Sequence, residues 1–109
     1  MPLPEITVHE ARARLAAPQP PRLIDVREED EWKIARIAGA ELLPLSQWPA
    51  ITAERLTDLD QQLLVLCHHG TRSARAADFL LRNGFTDVTN IAGGIDAWAA
   101  EIDPALTRY

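Results

Sequence analysis

Leu63-Leu64-Val65-Leu66-Cys67-His68-His69-Gly70-Thr71-Arg72-Ser73-Ala74-Arg75-Ala76-Ala77 is the stretch that decides how this 109-residue chain folds. Four consecutive apolar residues, 63–66, predict a strand buried on both faces, as in a parallel sheet. Cys67 to Arg72 predicts a loop. Ser73 to Asn83 predicts a helix, with Ala74, Ala77 and Leu81 at helical spacing and Leu80 widening the stripe. Arg82 in its last turn and Gly84 just beyond make a normal helix stop.

The same alternation continues on both sides. Upstream, Ile6-Thr7-Val8 is β-prone and His9 to Ala17 is helical, with Ala11, Leu15 and Ala16 as inward positions. Pro18, Pro20 and Pro21 end that helix. Arg22 to Val26 predicts a strand, Glu28 to Lys33 a short helix with acidic residues at its positive end, and Glu41 to Leu45 a strand closed by Pro44. Gln47 to Leu59 holds one or two short helices. Downstream come a strand at Thr86–Ile91, a Gly93-Gly94 turn and a helix at Ile95–Ala100. Strands and helices alternating at this interval predict an α/β domain, with a mainly parallel sheet and helices on both faces. The length suits one domain, residues 1–109 with a core of about 6–100.

Composition narrows the function. Hydrophobic residues make up 47% and charged residues 25%, as in ordinary globular proteins. The net charge of −5, with arginines scattered rather than blocked, argues against nucleic-acid binding. No apolar stretch approaches membrane-spanning length. Met1-Pro2-Leu3-Pro4-Glu5 has neither the basic region nor the apolar run of a signal peptide. The single cysteine excludes an internal disulfide and paired-cysteine metal sites. A lone thiol fits a reducing compartment, and the cytoplasm is the expected location.

Cys67 follows the most buried strand and precedes the best helix, the place where open α/β sheets build sites. Amides at a helix start lack internal partners and the helix dipole is positive there, so both favour thiolate over thiol. Arg72 adds a permanent charge, and Gly70 admits backbone angles closed to other residues. The alternative is an inert core cysteine. Two histidines, a glycine and an arginine are poor core company, which favours a reactive one. A metal site built on His68 and His69 is not expected, because adjacent histidines in a tight loop rarely point at one ion and His9 is the only other histidine. Asp25, at a strand end, suits a supporting bond to the loop or to an arginine, with Arg27 as its companion. Trp98 suits the core.

Cys67-His68-His69-Gly70-Thr71-Arg72-Ser73 resembles the active-site loop of rhodanese domains. Asp25-Val26-Arg27 with Glu28 and Trp32 resembles that family's first motif. Ile37-Ala38-Gly39-Ala40 followed by Pro44 resembles the turn and strand after it, and Gly93-Gly94 with Trp98 its closing motif. The resemblance runs from Ile6 to about Trp98. One departure is Ala35-Arg36, where the family commonly has Gly-His. The resemblance implies a three-layer α/β/α fold with a mainly parallel five-stranded sheet.

It also implies a sulfurtransferase with no metal or organic cofactor, in which Cys67 carries sulfane sulfur as a persulfide. His68, His69, Gly70, Thr71 and Arg72 would bind the donor, with Asp25, Arg27 and Ser73 behind them. The implied partners are a small anion such as thiosulfate, and a cyanide, thiol or protein acceptor. Four residues separate Cys67 from Arg72, against five in cysteine phosphatases, and Ser73 stands where a phosphatase needs its arginine. A non-enzymatic docking module on the same fold is the alternative, and the presence of Cys67 counts against it.

Overall fold

The computed structural model describes residues 3–109. Met1 and Pro2, which open the stretch read as lacking a leader pattern, lie outside them. Along the described chain run β1 (Glu5–Ile6), α1 (Val8–Leu15), β2 (Arg22–Asp25), α2 (Glu29–Ile34), β3 (Glu41–Leu42), α3 (Ala50–Arg55), β4 (Leu63–Leu66), α4 (Thr71–Arg82), β5 (Val88–Ile91) and α5 (Gly94–Glu101). The strands form one sheet in the order β1-β5-β4-β2-β3, and every pairing is parallel. The predicted α/β class and five-stranded sheet are present, and the sheet is wholly parallel.

β4 runs through the middle of the sheet. Leu63 and Val65 point to one face and pack with Ala76, Ala77 and Leu80 of α4 and with Leu56 just after α3. Leu64 and Leu66 point to the other face, among Val8 and Ala11 of α1 and Ile95 and Trp98 of α5. Each such side chain taken fully out of water contributes about 1.5–3 kcal/mol, so two-sided burial makes β4 the best-held strand. Cys67 continues the alternation and belongs to the Val65 side. Among the described residues no helix is long and apolar enough to cross a membrane.

Several boundaries differ from the sequence reading, β5 among them, which begins at Val88 rather than Thr86. Thr7 caps α1 instead of extending the strand: its hydroxyl accepts from the Glu10 amide, and Glu10 accepts from the Thr7 amide, each at 3.1 Å. That helix ends at Leu15, leaving Ala16 exposed as its cap. The third strand closes at Leu42, and a 3-10 turn follows at Leu45–Gln47. α4 begins at Thr71, two residues early, because Gly70 makes the turn alone at φ +107°. Its buried stripe is Ser73, Ala76, Ala77 and Leu80. Ala74 and Leu81 lie at its edges, only half-buried.

Candidate active site

The Cys67 side chain is 1% exposed at the C-terminal edge of β4. Its Sγ accepts the Gly70 N–H at 3.1 Å. Thr71, Arg72 and Ser73 form the first turn of α4, so their amides have no intrahelical acceptor and the positive end of the helix lies beside the sulfur. Ser73 Oγ stands 3.4 Å from Sγ and 2.5 Å from Asn90 Oδ1. A hydroxyl has one proton, and the shorter contact directs it to Asn90.

Asn90 holds the loop from the neighbouring strand. Buried on β5, it donates from Nδ2 to the Gly70 carbonyl at 3.2 Å and to Glu5 Oε2 at 2.8 Å. The other side of the loop is held by α5, where the Ile95 amide donates to the Cys67 carbonyl (2.9 Å) and the Asp96 amide to the His68 carbonyl (3.1 Å). The Gly93-Gly94 pair is therefore part of the site, because it lets a helix start come within hydrogen-bond reach of the loop.

Arg72 does not point a free guanidinium at the sulfur. It binds both Glu31 oxygens, at 2.6 and 2.8 Å. The Arg72 bond holds Glu31 at a pKa of about 2 against burial, with help from the Tyr109 hydroxyl and the Glu28 amide. Glu31 in turn raises Arg72. Tyr109 donates to Glu31 Oε2 at 2.8 Å and accepts from Arg27 Nη1 at 2.9 Å. Burial, against Arg27 and with Glu31, pushes its phenol up to about 12.

Asp25 and Arg27 are fully buried behind this network. Asp25 accepts from Arg27 Nε at 3.0 Å and Nη2 at 2.7 Å, and from the Arg27 amide at 3.0 Å. Arg27 also donates to the carbonyls of Ala35 and Glu31. Burial opposes the Arg27 charge, but the bonds to Asp25 and Tyr109 outweigh it and its pKa rises. Arg36 extends over the Trp32 ring at 5.1 Å. Trp98, on α5, is buried in the core.

Adjacent histidines in a tight loop are not expected to point at one ion; here their side chains lie together. The rings of His68 and His69 stack at 3.8 Å, and His68 stacks on Tyr109 at 3.9 Å and 9°. Burial, then the neighbouring His69 charge, lowers the His68 pKa against Tyr109, Glu31 and Asp96. Asp96 binds Arg108 at 3.0 and 3.1 Å.

The structure thus brings Cys67, Gly70 and Ser73 together at the sulfur and sets His68 and His69 at the mouth. Thr71 is in the first turn of α4, and Arg72, Asp25 and Arg27 lie in the supporting network. The sequence reading did not single out Glu31, Asn90, Asp96 or Tyr109. Only Glu31 had a local signal, three residues after the N-cap Glu28, whose amide it accepts at 3.1 Å.

The family described as the rhodanese-like domain matches residues 7–101. Rhodanese-like/PpiC domain-containing protein 12, chloroplastic, of Arabidopsis thaliana is 36% identical over 115 residues, covering 99% of this chain and 38% of that protein. Probable adenylyltransferase/sulfurtransferase MoeZ of Mycobacterium tuberculosis is 38% identical over 106 residues, covering 95% of this chain and 26% of that protein. The chain therefore spans well under half the length of these curated relatives. The human single-domain sulfurtransferase TSTD1 has a similar structure, with a TM-score of 0.76, 28% identity, and coverage of 92% of this chain and 98% of that one.

Proposed function

The chain belongs to the rhodanese-like domain family, and from that premise we propose that it is a sulfurtransferase carrying sulfane sulfur as a persulfide on Cys67. The observation that carries this reading is the Gly70 N–H on Cys67 Sγ at the N-terminus of α4. A fixed donor and a positive helix end stabilise negative charge on sulfur, which both the thiolate and the persulfide bear. Residues from about 6 to 100 act as the single domain that does this work, and no cofactor takes part.

The chemistry is covalent. The Cys67 thiolate attacks the outer sulfur of thiosulfate or a similar donor. The new S–S bond forms as the donor's own S–S bond breaks, and sulfite leaves with the electron pair. The terminal persulfide sulfur takes the charge and lies against the loop amides. An acceptor such as cyanide then attacks that outer sulfur, giving thiocyanate and restoring the thiolate. A thiol or protein acceptor fills the same role. The thiol stays usable only where disulfide formation is suppressed, which supports the cytoplasm or another reducing compartment.

Intact mass spectrometry tests the assignment. Thiosulfate is expected to add one sulfur atom to the protein and cyanide to remove it, with neither change in Cys67→Ser. Turnover by the serine variant would overturn it.

A second reading, a persulfide carrier serving a protein partner, is supported by the Glu31–Arg72 pair. The arginine best placed to hold a sulfonate is already neutralised. If this reading holds, kcat/KM is higher with a low-molecular-weight persulfide donor than with thiosulfate. The reverse ranking would favour the thiosulfate enzyme.

A further inference from the structure

A second cluster lies at the mouth of the loop, made of side chains that form and break no bond in the chemistry of Cys67. His68, His69 and Asp96 each offer one ligand atom, and these atoms all lie within 4.8 Å of one another. His69 Nε2 stands 3.8 Å from Asp96 Oδ2, beyond hydrogen-bond reach. His68 Nε2 is enclosed and has no hydrogen-bond partner among the described residues. An enclosed polar nitrogen left unpaired is destabilising, so a ligand that engaged it would recover that loss.

The convergence is built into the main chain. Asp96 sits in the first turn of α5, and its amide is bonded to the carbonyl of His68 itself. The ring pair and the carboxylate are thus held to one another by backbone, from two elements far apart in sequence.

We propose that His68, His69 and Asp96 form a binding site for a divalent transition-metal ion of the zinc class. Two imidazoles and one carboxylate are a common donor set for such an ion and leave a fourth position for water. In a tetrahedral shell, metal–ligand bonds of about 2.0–2.2 Å put two ligand atoms about 3.3–3.6 Å apart. Separations of up to 4.8 Å therefore close by up to about 1.5 Å, and the His69 ring, now stacked on His68, turns toward the ion; 63% exposed, it has room to do so. Cys67 is not a ligand, since its sulfur points into the core beneath the Gly70 amide. Arg108 holds both Asp96 oxygens, so it competes with the ion for the carboxylate.

That competition makes the site testable by a gain as well as by losses. The full chain carrying Cys67→Ser is titrated with Co2+ followed by visible absorption and with Zn2+ followed by calorimetry, so that no thiol contributes. One ion per chain is expected, with Co2+ ligand-field bands and no thiolate charge-transfer band. In that background His69→Ala and Asp96→Asn should each weaken binding at least tenfold, while Arg108→Ala should tighten it severalfold. His69 and Arg108 are exposed side chains, so their removal leaves the core intact, and a gain in affinity cannot come from misfolding. Absence of stoichiometric binding in Cys67→Ser, unchanged affinity in His69→Ala, or weaker binding in Arg108→Ala would each overturn the proposal.

Discussion

Gly94 lies so close to Cys67 that a Cβ built on it would stand 2.3 Å from the Cys67 carbonyl oxygen and 2.6 Å from that of His68. Both atoms are backbone and cannot step aside, and Gly94 also has φ +57°. The start of α5 is thus pressed directly against the Cys67 loop.

Gly94→Ala is expected to lower stability by more than about 3 kcal/mol, combining left-handed strain of about 1–2 kcal/mol with displacement of the loop. Sulfur transfer should fall with it. Gly39→Ala is the control: Gly39 has φ +85° but nothing within 4 Å of its added Cβ, so only the backbone strain is expected. Equal urea-denaturation losses for the two variants would show that the contact with Cys67 does not matter.

The Glu31–Arg72 pair predicts an acid-labile component of stability. The folded pKa of Glu31, about 2, lies below its ordinary 4.5. Folding therefore favours the ionised form, and the stabilisation is fully present above about pH 5 and drains away as pH falls toward 2. Its size is of order 2 kcal/mol, discounted because Arg72 is partly in solvent. Glu31→Gln should lose about that much at pH 7 and show a flatter decline in acid. A variant whose pH profile ran parallel to wild type would sink this attribution.

Loosening the same pair frees a cation at the site. Glu31→Gln removes the charge that neutralises Arg72, so the KM for thiosulfate should drop severalfold if the guanidinium can then reach the donor. A raised KM would mean instead that Glu31 holds Arg72 where the donor needs it.

Asn90 ties Gly70 and Ser73 to β5 from a position 1% exposed. Asn90→Leu leaves the Ser73 hydroxyl and the Gly70 carbonyl without that partner. A loss of about 1–3 kcal/mol is expected, with slower alkylation of Cys67 as the Gly70 amide loses its fixed aim. Unchanged stability together with unchanged alkylation would remove Asn90 from the site.

How far the chain could be read without its fold is clear from particular residues. Leu63–Leu66 is apolar at every position, so burial on both faces follows from solvation alone, and β4 begins and ends as read. Cys67 and Gly70 could be placed because a strand end, a glycine and a helix start are local features. The two-residue error at the start of α4 arose because nothing local marked Gly70 as the sole turning residue. Thr7 was misplaced although its Thr-x-x-Glu spacing to Glu10 was a visible capping signal.

The partners of the site residues are another matter. Arg72 meets Glu31 across 41 residues, Asn90 meets Gly70 across 20, and Tyr109 meets Arg27 across 82. Periodicity and propensity act over a few residues and carry no information at those separations. The parallel order β1-β5-β4-β2-β3 gathers the C-terminal ends of β2, β4 and β5 at one edge, and only there do those side chains come within bonding distance. By itself the amino-acid sequence determined the strand, the cysteine at its end and the turn that follows, because solvation and local backbone chemistry act along the chain. Which charge Arg72 would face, and that two histidines would converge on Asp96, only the tertiary structure decided, because both depend on packing between distant elements.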